Sequence, residues 1–158
     1  MSHPRIGTVC FLNAWPLTRF LDRENVTVEA MRPSELLPKL LADDLDVALL
    51  PVYDLLTAPA LLQPVGTSCI GSVRNVQSVM LFSHCEFSQI HCLGLDPASH
   101  TSVVLAQILL AERFGVRPTT VPLPAPQADA CLVIGDQAFN FNSDNQFSHT
   151  LDLATAWN

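Results

Sequence analysis

The stretch Arg5-Ile6-Gly7-Thr8-Val9-Cys10-Phe11-Leu12-Asn13-Ala14-Trp15-Pro16-Leu17 decides the fold. Its first six residues read as a buried strand. Pro16 stands where a first helical turn begins, with Leu17, Phe20 and Leu21 following at helical spacing. A strand, a loop that holds Asn13 and a helix are therefore expected. Beyond them, Val26 to Ala30 alternates as a second strand, and Pro33-Ser34-Glu35 opens a second helix that turns Leu36, Leu37, Leu40 and Leu41 inward. Pro38 falls in the first turns of that helix and costs some regularity. Asp46 to Leu50 is a short apolar strand ended by Pro51, and Val52 to Leu56 is helical. The order β-α-β-α-β predicts an α/β class with a parallel sheet covered by helices, its ligands beyond the carboxyl ends of the strands. Asn13 lies at one such end.

Further along, Val65 to Ile70 and Gln77 to Ser83 read as extended segments separated by the turn Gly71-Ser72-Val73-Arg74-Asn75. The chain is expected to change lobes hereabouts, with a first lobe over 1–82 and a second over 83–158. A fresh β-α-β unit follows: strand His91 to Leu95, helix Thr101 to Phe114 closed by Gly115, and strand Thr119 to Leu123. Pro122, Pro124 and Pro126 make a stiff extended connector. Ala130 to Ile134 is another buried strand, ending at Gly135-Asp136. Asn140 to His149 is polar and turn-like.

With 158 residues, 49% of them hydrophobic, the chain is long enough to bury a core. No apolar run approaches the roughly 18 residues of a membrane span, and the start lacks the apolar stretch of a secretory signal. A soluble cytoplasmic protein, with no membrane partner, is the expectation. The 15 acidic against 8 basic side chains give a net charge of -7, which repels phosphate backbones and argues against a nucleic-acid partner. A small anion is another matter, because N–H groups at helix N-termini bind carboxylates whatever the overall charge. The five cysteines are odd in number, widely spaced and set among apolar residues, so buried free thiols are expected. His84 and His91 flank Cys85 and Cys92 without the tight CxxC pairing of a structural zinc site.

Four loops that follow strands carry polar residues. Asn13 offers a carbonyl acceptor and an amide donor that suit a hydroxyl or a carboxylate, or it serves as a turn residue. Asp96-Pro97-Ala98-Ser99-His100-Thr101-Ser102 leads into a strongly apolar helix. The Thr101 and Ser102 hydroxyls and the first-turn N–H groups suit a carboxylate, while Ser99 or Thr101 serve equally well as N-caps. Ser78 either points into a cleft or occupies a tolerant edge position. Gly135-Asp136 gives a tight turn plus a carboxylate, which either holds turn N–H groups or positions a substrate hydroxyl. His100 is an acid, base or anion partner, or is merely solvated. Arg5, Arg19, Arg32 and Arg74 are scattered, and no GxSxG, P-loop, dinucleotide or HExxH motif occurs.

Taken together, these loops resemble the chorismate dehydratase family of the futalosine route to menaquinone. Ile6 to Leu17 is similar to that family's first strand and its Tyr-Leu-Asn-x-x-Pro-Leu loop. Pro33-Ser34-Glu35-Leu36 and Leu45-Asp46-Val47-Ala48-Leu49-Leu50-Pro51 match the next landmark. Val76 to Ser83, Ser99 to Val103 and Asp129 to Ala138 complete the order. The resemblance implies a two-lobed fold like that of the type 2 periplasmic solute-binding proteins, with the ligand between the lobes. It also implies a cofactor-independent hydro-lyase reaction, chorismate to 3-[(1-carboxyvinyl)oxy]benzoate plus water, with no metal or nucleotide required. Carried over by position, Asn13 is the catalytic residue, Ser78, Thr101 and Ser102 bind carboxylate, and Gly135-Asp136 shapes the second wall.

Three places in the chain depart from the family pattern. Phe11 replaces an aromatic hydroxyl, Val73-Arg74-Asn75 replaces an Asp-Gly-Pro-like turn, and His100 stands where an Arg is common. The family continues with further strands and a helical tail after a motif similar to Leu151-Asp152-Leu153-Ala154-Thr155-Ala156-Trp157, so a C-terminal return segment is expected to be missing. Exposed apolar strand edges would then favour a homodimer. The alternative reading is a solute-binding-like module that captures a small carboxylate without turning it over, or a degenerate dehydratase relative.

Overall fold

The computed structural model describes residues 3–142 and 146–158. The chain divides into two compact units, Met1–Ile70 and Gly71–Asn158. In the first, β1 (Arg5–Val9) lies between β2 (Thr27–Met31) and β3 (Val47–Ala48), and both neighbours run parallel to it. Although β3 is short, Asp46 N–H donates to Arg5 O at 2.8 Å and Leu49 N–H to Gly7 O at 3.0 Å, which extends the pairing on both sides. A 3-10 turn, Leu12–Ala14, and the helix α1 (Trp15–Thr18) follow β1; α2 (Pro33–Leu41) precedes β3, and α3 (Val52–Thr57) follows it. Pro33 fills the first position of α2, where its missing N–H costs no helical bond, and Glu35 Oε2 accepts the Arg32 N–H at 2.9 Å. Leu36 and Leu45 are buried against β1 at Gly7.

The second unit holds β4 (Val79–Ser83), β5 (Cys92–Leu95), β6 (Thr119–Pro122), β7 (Ala130–Ile134) and β8 (His149–Asp152) in the sheet order β6-β5-β7-β4-β8. β5 is parallel to both its neighbours, while β4 is antiparallel to β7 and to β8. Helix α4 (Thr101–Phe114) connects β5 to β6 and ends where Gly115 turns left-handed at φ 70°. Helix α5 (Leu153–Trp157) follows β8, and 3-10 turns occupy Phe87–Gln89 and Asp136–Phe139.

Strand alternation sorts the side chains of this sheet onto two faces. Leu81, Leu93, Ala130 and Leu132 pack with Leu109 and Leu110 of α4 and with Leu153 and Ala156 of α5. On the other face, Phe82, Cys131 and Val133 pack with Ala138, Met80 and Phe147, where Phe82 meets the rings of Phe141 and Phe147 at 5.1 and 5.8 Å. All five residues of β7 are buried, as a strand covered on both faces requires. At the opposite end of the strands, Asp129 Oδ2 accepts the N–H groups of His91 and Cys92, each at 2.8 Å, and ties the start of β5 to that of β7. These bonds hold the Asp129 pKa below the ordinary carboxylate value.

The fold is thus mixed α/β, with two sheets and five α-helices among the described residues. Several expectations are corrected. Helix α1 stops after four residues because Asp22 organises the next turn, its Oδ1 accepting the Glu24 N–H at 3.0 Å and its Oδ2 the Asn25 Nδ2 at 2.6 Å. Phe20, read at helical spacing with Leu17, falls beyond the helix and is exposed, and Leu41, expected to face inward, is half exposed at the end of α2. Val65 to Ile70 forms no strand; the whole run lies exposed. β4 pairs with β7 and β8, so it goes with Gly71–Asn158 rather than with residues 1–82. Neither β8 nor α5 was anticipated; residues 143–145 of the polar stretch before β8 lie outside the described residues. All five cysteines are free, yet Cys131 alone is buried, while Cys10 and Cys69 are exposed. Among the described residues no helix is long and apolar enough to cross a membrane.

Two measurements check this packing. In urea titrations, Leu132→Ala is expected to cost about 3 kcal/mol of unfolding free energy, against about 0.5 kcal/mol or less for the exposed Val73→Ala. For Asp129, a folded-state pKa below the unfolded value means that its stabilisation is present at neutral pH and is lost as pH falls through the folded pKa. Asp129→Asn should therefore be less stable than the parent at pH 7, and the two should converge below about pH 4.

Candidate functional site

Asn13 lies in the 3-10 turn immediately beyond β1, at the carboxyl end of that strand, and it is exposed. The turn is pinned by the Ala14 N–H donating to Phe11 O at 3.1 Å, and the Thr18 hydroxyl donates back to Ala14 O at 3.2 Å. A cation stands on the same short segment. The Arg19 guanidinium lies 3.9 Å from the ring centre of Trp15 and 4.5 Å from that of Phe20, within cation–π range of both. Arg5 is committed elsewhere, since Asp46 takes its guanidinium at 3.0 Å and its backbone N–H at 2.7 Å.

In the second unit, strand register brings two of the expected residues together. Val79 pairs with Ile134, and one step further the Gly135 N–H donates to Ser78 O at 2.8 Å, so Ser78 and Gly135 are cross-strand neighbours at the end of the β4–β7 ladder. Gly135 adopts φ 73° and ψ -160°, a conformation that only glycine holds without strain. The bend ends β7 and starts the 3-10 turn at Asp136, which is exposed. Ser78 itself is half-buried.

Thr101 and Ser102 form the first turn of α4, as expected, and both are partly exposed. The Ser102 N–H donates to Ser99 Oγ at 3.2 Å. That backbone donor is therefore already occupied. The buried Ser99, one residue before the N-cap position at His100, thus satisfies a first-turn N–H of α4, and Thr101 and Ser102 stand on the partly exposed turn beyond it.

Asp96 joins these two parts of the second unit, a role that its position in the sequence did not announce. It is 5% exposed at the carboxyl end of β5. Its Oδ1 accepts the Ala98 N–H at 2.9 Å in the loop before α4; its Oδ2 accepts Gln137 Nε2 at 2.5 Å and the Ile134 N–H at 3.4 Å. One carboxylate thus ties the loop that leads to Thr101 and Ser102 to the turn that carries Gly135 and Asp136. A carboxylate directly after an apolar strand and before a helix was the only visible signal. Beside it, a hollow of about 300 Å³ opens between Leu95, Pro97, Ser99 and Val103 and the β6 residues Thr120 to Pro122, at the carboxyl ends of two parallel strands. Among the described residues no three His, Cys, Asp or Glu side chains are grouped as a metal ion would need.

The structure therefore places Ser78 beside Gly135, while Asp96 bonds Ala98 in the loop that leads to Thr101 and Ser102 and Gln137 in the turn that follows Gly135. Asn13 belongs to the first unit. A family model described as menaquinone biosynthesis matches residues 4–158 of the chain.

Replacing Asp96 leaves three donors in and around a buried site without their acceptor. Asp96→Ala is expected to lose about 2–4 kcal/mol of stability in urea unfolding, and Gln137→Ala about 1 kcal/mol, since the latter leaves the two backbone bonds in place.

Proposed function

Because the chain belongs to the menaquinone biosynthesis family, we propose that it is a hydro-lyase that dehydrates chorismate to 3-[(1-carboxyvinyl)oxy]benzoate on the futalosine route. The observation that carries the reading is the family match over residues 4–158, together with the ordered landmarks from Ile6 to Ala138. We propose likewise that the two units correspond to the lobes of a periplasmic-binding-protein-like fold. The exact substrate and the fold family both rest on the resemblance.

The reaction removes the C4 hydroxyl and the C3 proton of chorismate, releases water and leaves an aromatic ring. Aromaticity supplies the driving force, so the chain's task is to orient the substrate and to favour departure of the hydroxyl. Asn13 is assigned to the leaving hydroxyl or the enolpyruvyl group, where its amide donates a hydrogen bond without changing charge. Ser78, Thr101 and Ser102 are assigned to carboxylate, and the bend at Gly135-Asp136 to the wall beside it. These three carboxylate readers are uncharged hydroxyls, and the adjacency of Ser78 to Gly135 supports assigning those two residues to one wall. Neutral donors suit an anion that must be held in one orientation and then released as an anionic product.

The test is incubation of the full chain with chorismate, with the aromatic product followed by mass spectrometry and ultraviolet absorption. Conversion is expected, and Asn13→Ala should lower kcat by roughly 100-fold, the scale of a lost donor to developing charge. Undiminished dehydration by Asn13→Ala would overturn its role. Chorismate binding without conversion would instead make the chain a carboxylate-capturing module.

A further inference from the structure

The turn that feeds β4 carries a left-handed residue that is not glycine. Gln77 sits at φ 56°, a conformation that a residue with a Cβ adopts only when its surroundings impose it. The imposing group comes from the far end of the sequence. Asp152 Oδ2 accepts the backbone N–H groups of Val76 at 2.8 Å and of Gln77 at 2.7 Å. Two successive amides converging on one oxygen form the kind of concave anion seat that a left-handed turn creates.

Asp152 is itself held in place. It is the last residue of β8 and pairs with Met80 of β4, and its Oδ1 accepts the Thr155 N–H at 2.9 Å as the cap of α5. Burial pushes its pKa up, but the bonds from Gln77, Thr155 and Val76 outweigh that, and the carboxyl lies below its ordinary range. The carboxylate therefore stays charged at neutral pH. Immediately after Gln77 comes Ser78, whose carbonyl is fixed by the Gly135 N–H at 2.8 Å. The peptide between Gln77 and Ser78 is thus flanked by two fixed ones, the preceding held by Asp152 through the Gln77 N–H and the following by the Gly135 N–H through the Ser78 carbonyl.

We propose that Asp152 is a positioning residue for substrate recognition: its carboxylate sets the Val76–Gln77 backbone and, through it, the presentation of Ser78 to a substrate carboxylate. The inference rests on the reading of Ser78 as a substrate-binding residue. It acts on binding geometry and not on the chemical step, so its loss belongs in KM and not in kcat.

The experiment is a double-mutant cycle on the full chain with chorismate as substrate. Asp152→Asn turns one of its two accepting oxygens into an N–H₂ group, which then opposes either Thr155 or the Val76–Gln77 pair. KM is expected to rise about tenfold with kcat within about twofold, and this rise should vanish when Asp152→Asn is combined with Ser78→Ala. An equal rise in KM in both backgrounds would show that Asp152 does not act through Ser78 and would overturn the proposal. So would a lowered melting temperature with KM unchanged. Should Asp152→Asn fail to fold, Gln77→Val, whose branched Cβ resists the left-handed turn, carries the same comparison with the same expected outcomes. The proposed reaction is judged separately, on the parent chain. If the parent binds chorismate without converting it, the dehydratase reading fails and the cycle is read in Kd, where additivity overturns the positioning role and non-additivity supports it. If the parent does not bind chorismate, both readings fall.

Discussion

The antiparallel pairing of β4 with β7 holds the second unit to a single arrangement. Leu81 faces Leu132 and Phe82 faces Cys131, and because successive side chains alternate, a slip of one residue would exchange the two faces of the strand. Phe82 would then be driven toward α4, and Leu81 toward the aromatic cluster of Phe141 and Phe147. Both faces are covered, so the register is enforced from above and below. Everything polar at the end of this ladder inherits that precision. Ser78 meets Gly135 because Val79 meets Ile134.

Carboxylates, with no donor of their own, brace the loops around this ladder. Asp96 joins three chain segments at the carboxyl end of β5, and Asp129 closes the opposite end of the same strand. Asp152 joins the start of the unit to its finish. Part of the acidic excess of the composition is therefore internal scaffolding, aimed at backbone N–H groups. This separates net charge from ligand preference: a chain with more acids than bases can still present hydroxyl and amide donors to an anion.

Much of the fold was legible, and the parts that were not share a cause. The helix Thr101–Phe114 was readable at both ends, because an apolar period stops at Gly115, the residue that most easily turns left-handed. β7 announced itself as five apolar residues in a row. By contrast, β8 and α5 have only four and five residues, and β8 becomes a strand only through β4, some 70 positions away. Val65 to Ile70 shows the converse, a strand-like composition that found no neighbour. For the site, residue types at strand ends pointed to Ser78, Thr101, Ser102, Gly135 and Asp136. Their connection through Asp96, and the grip of Asp152 on Gln77, depend on contacts across 38 to 76 residues, which no local pattern encodes.

The edge strand β6 ends in Pro122. Thr119 and Leu123 donate their amides inward, to His91 and Leu95, so by alternation the outward amides of this edge belong to positions 120 and 122. Position 122 has none. An incoming strand would find Thr120 as the single donor along this rim, too little to seed a continuing ladder. The same proline that stiffens the chain on its way to β7 thereby denies this border of the sheet the donors that fibrous self-association would need.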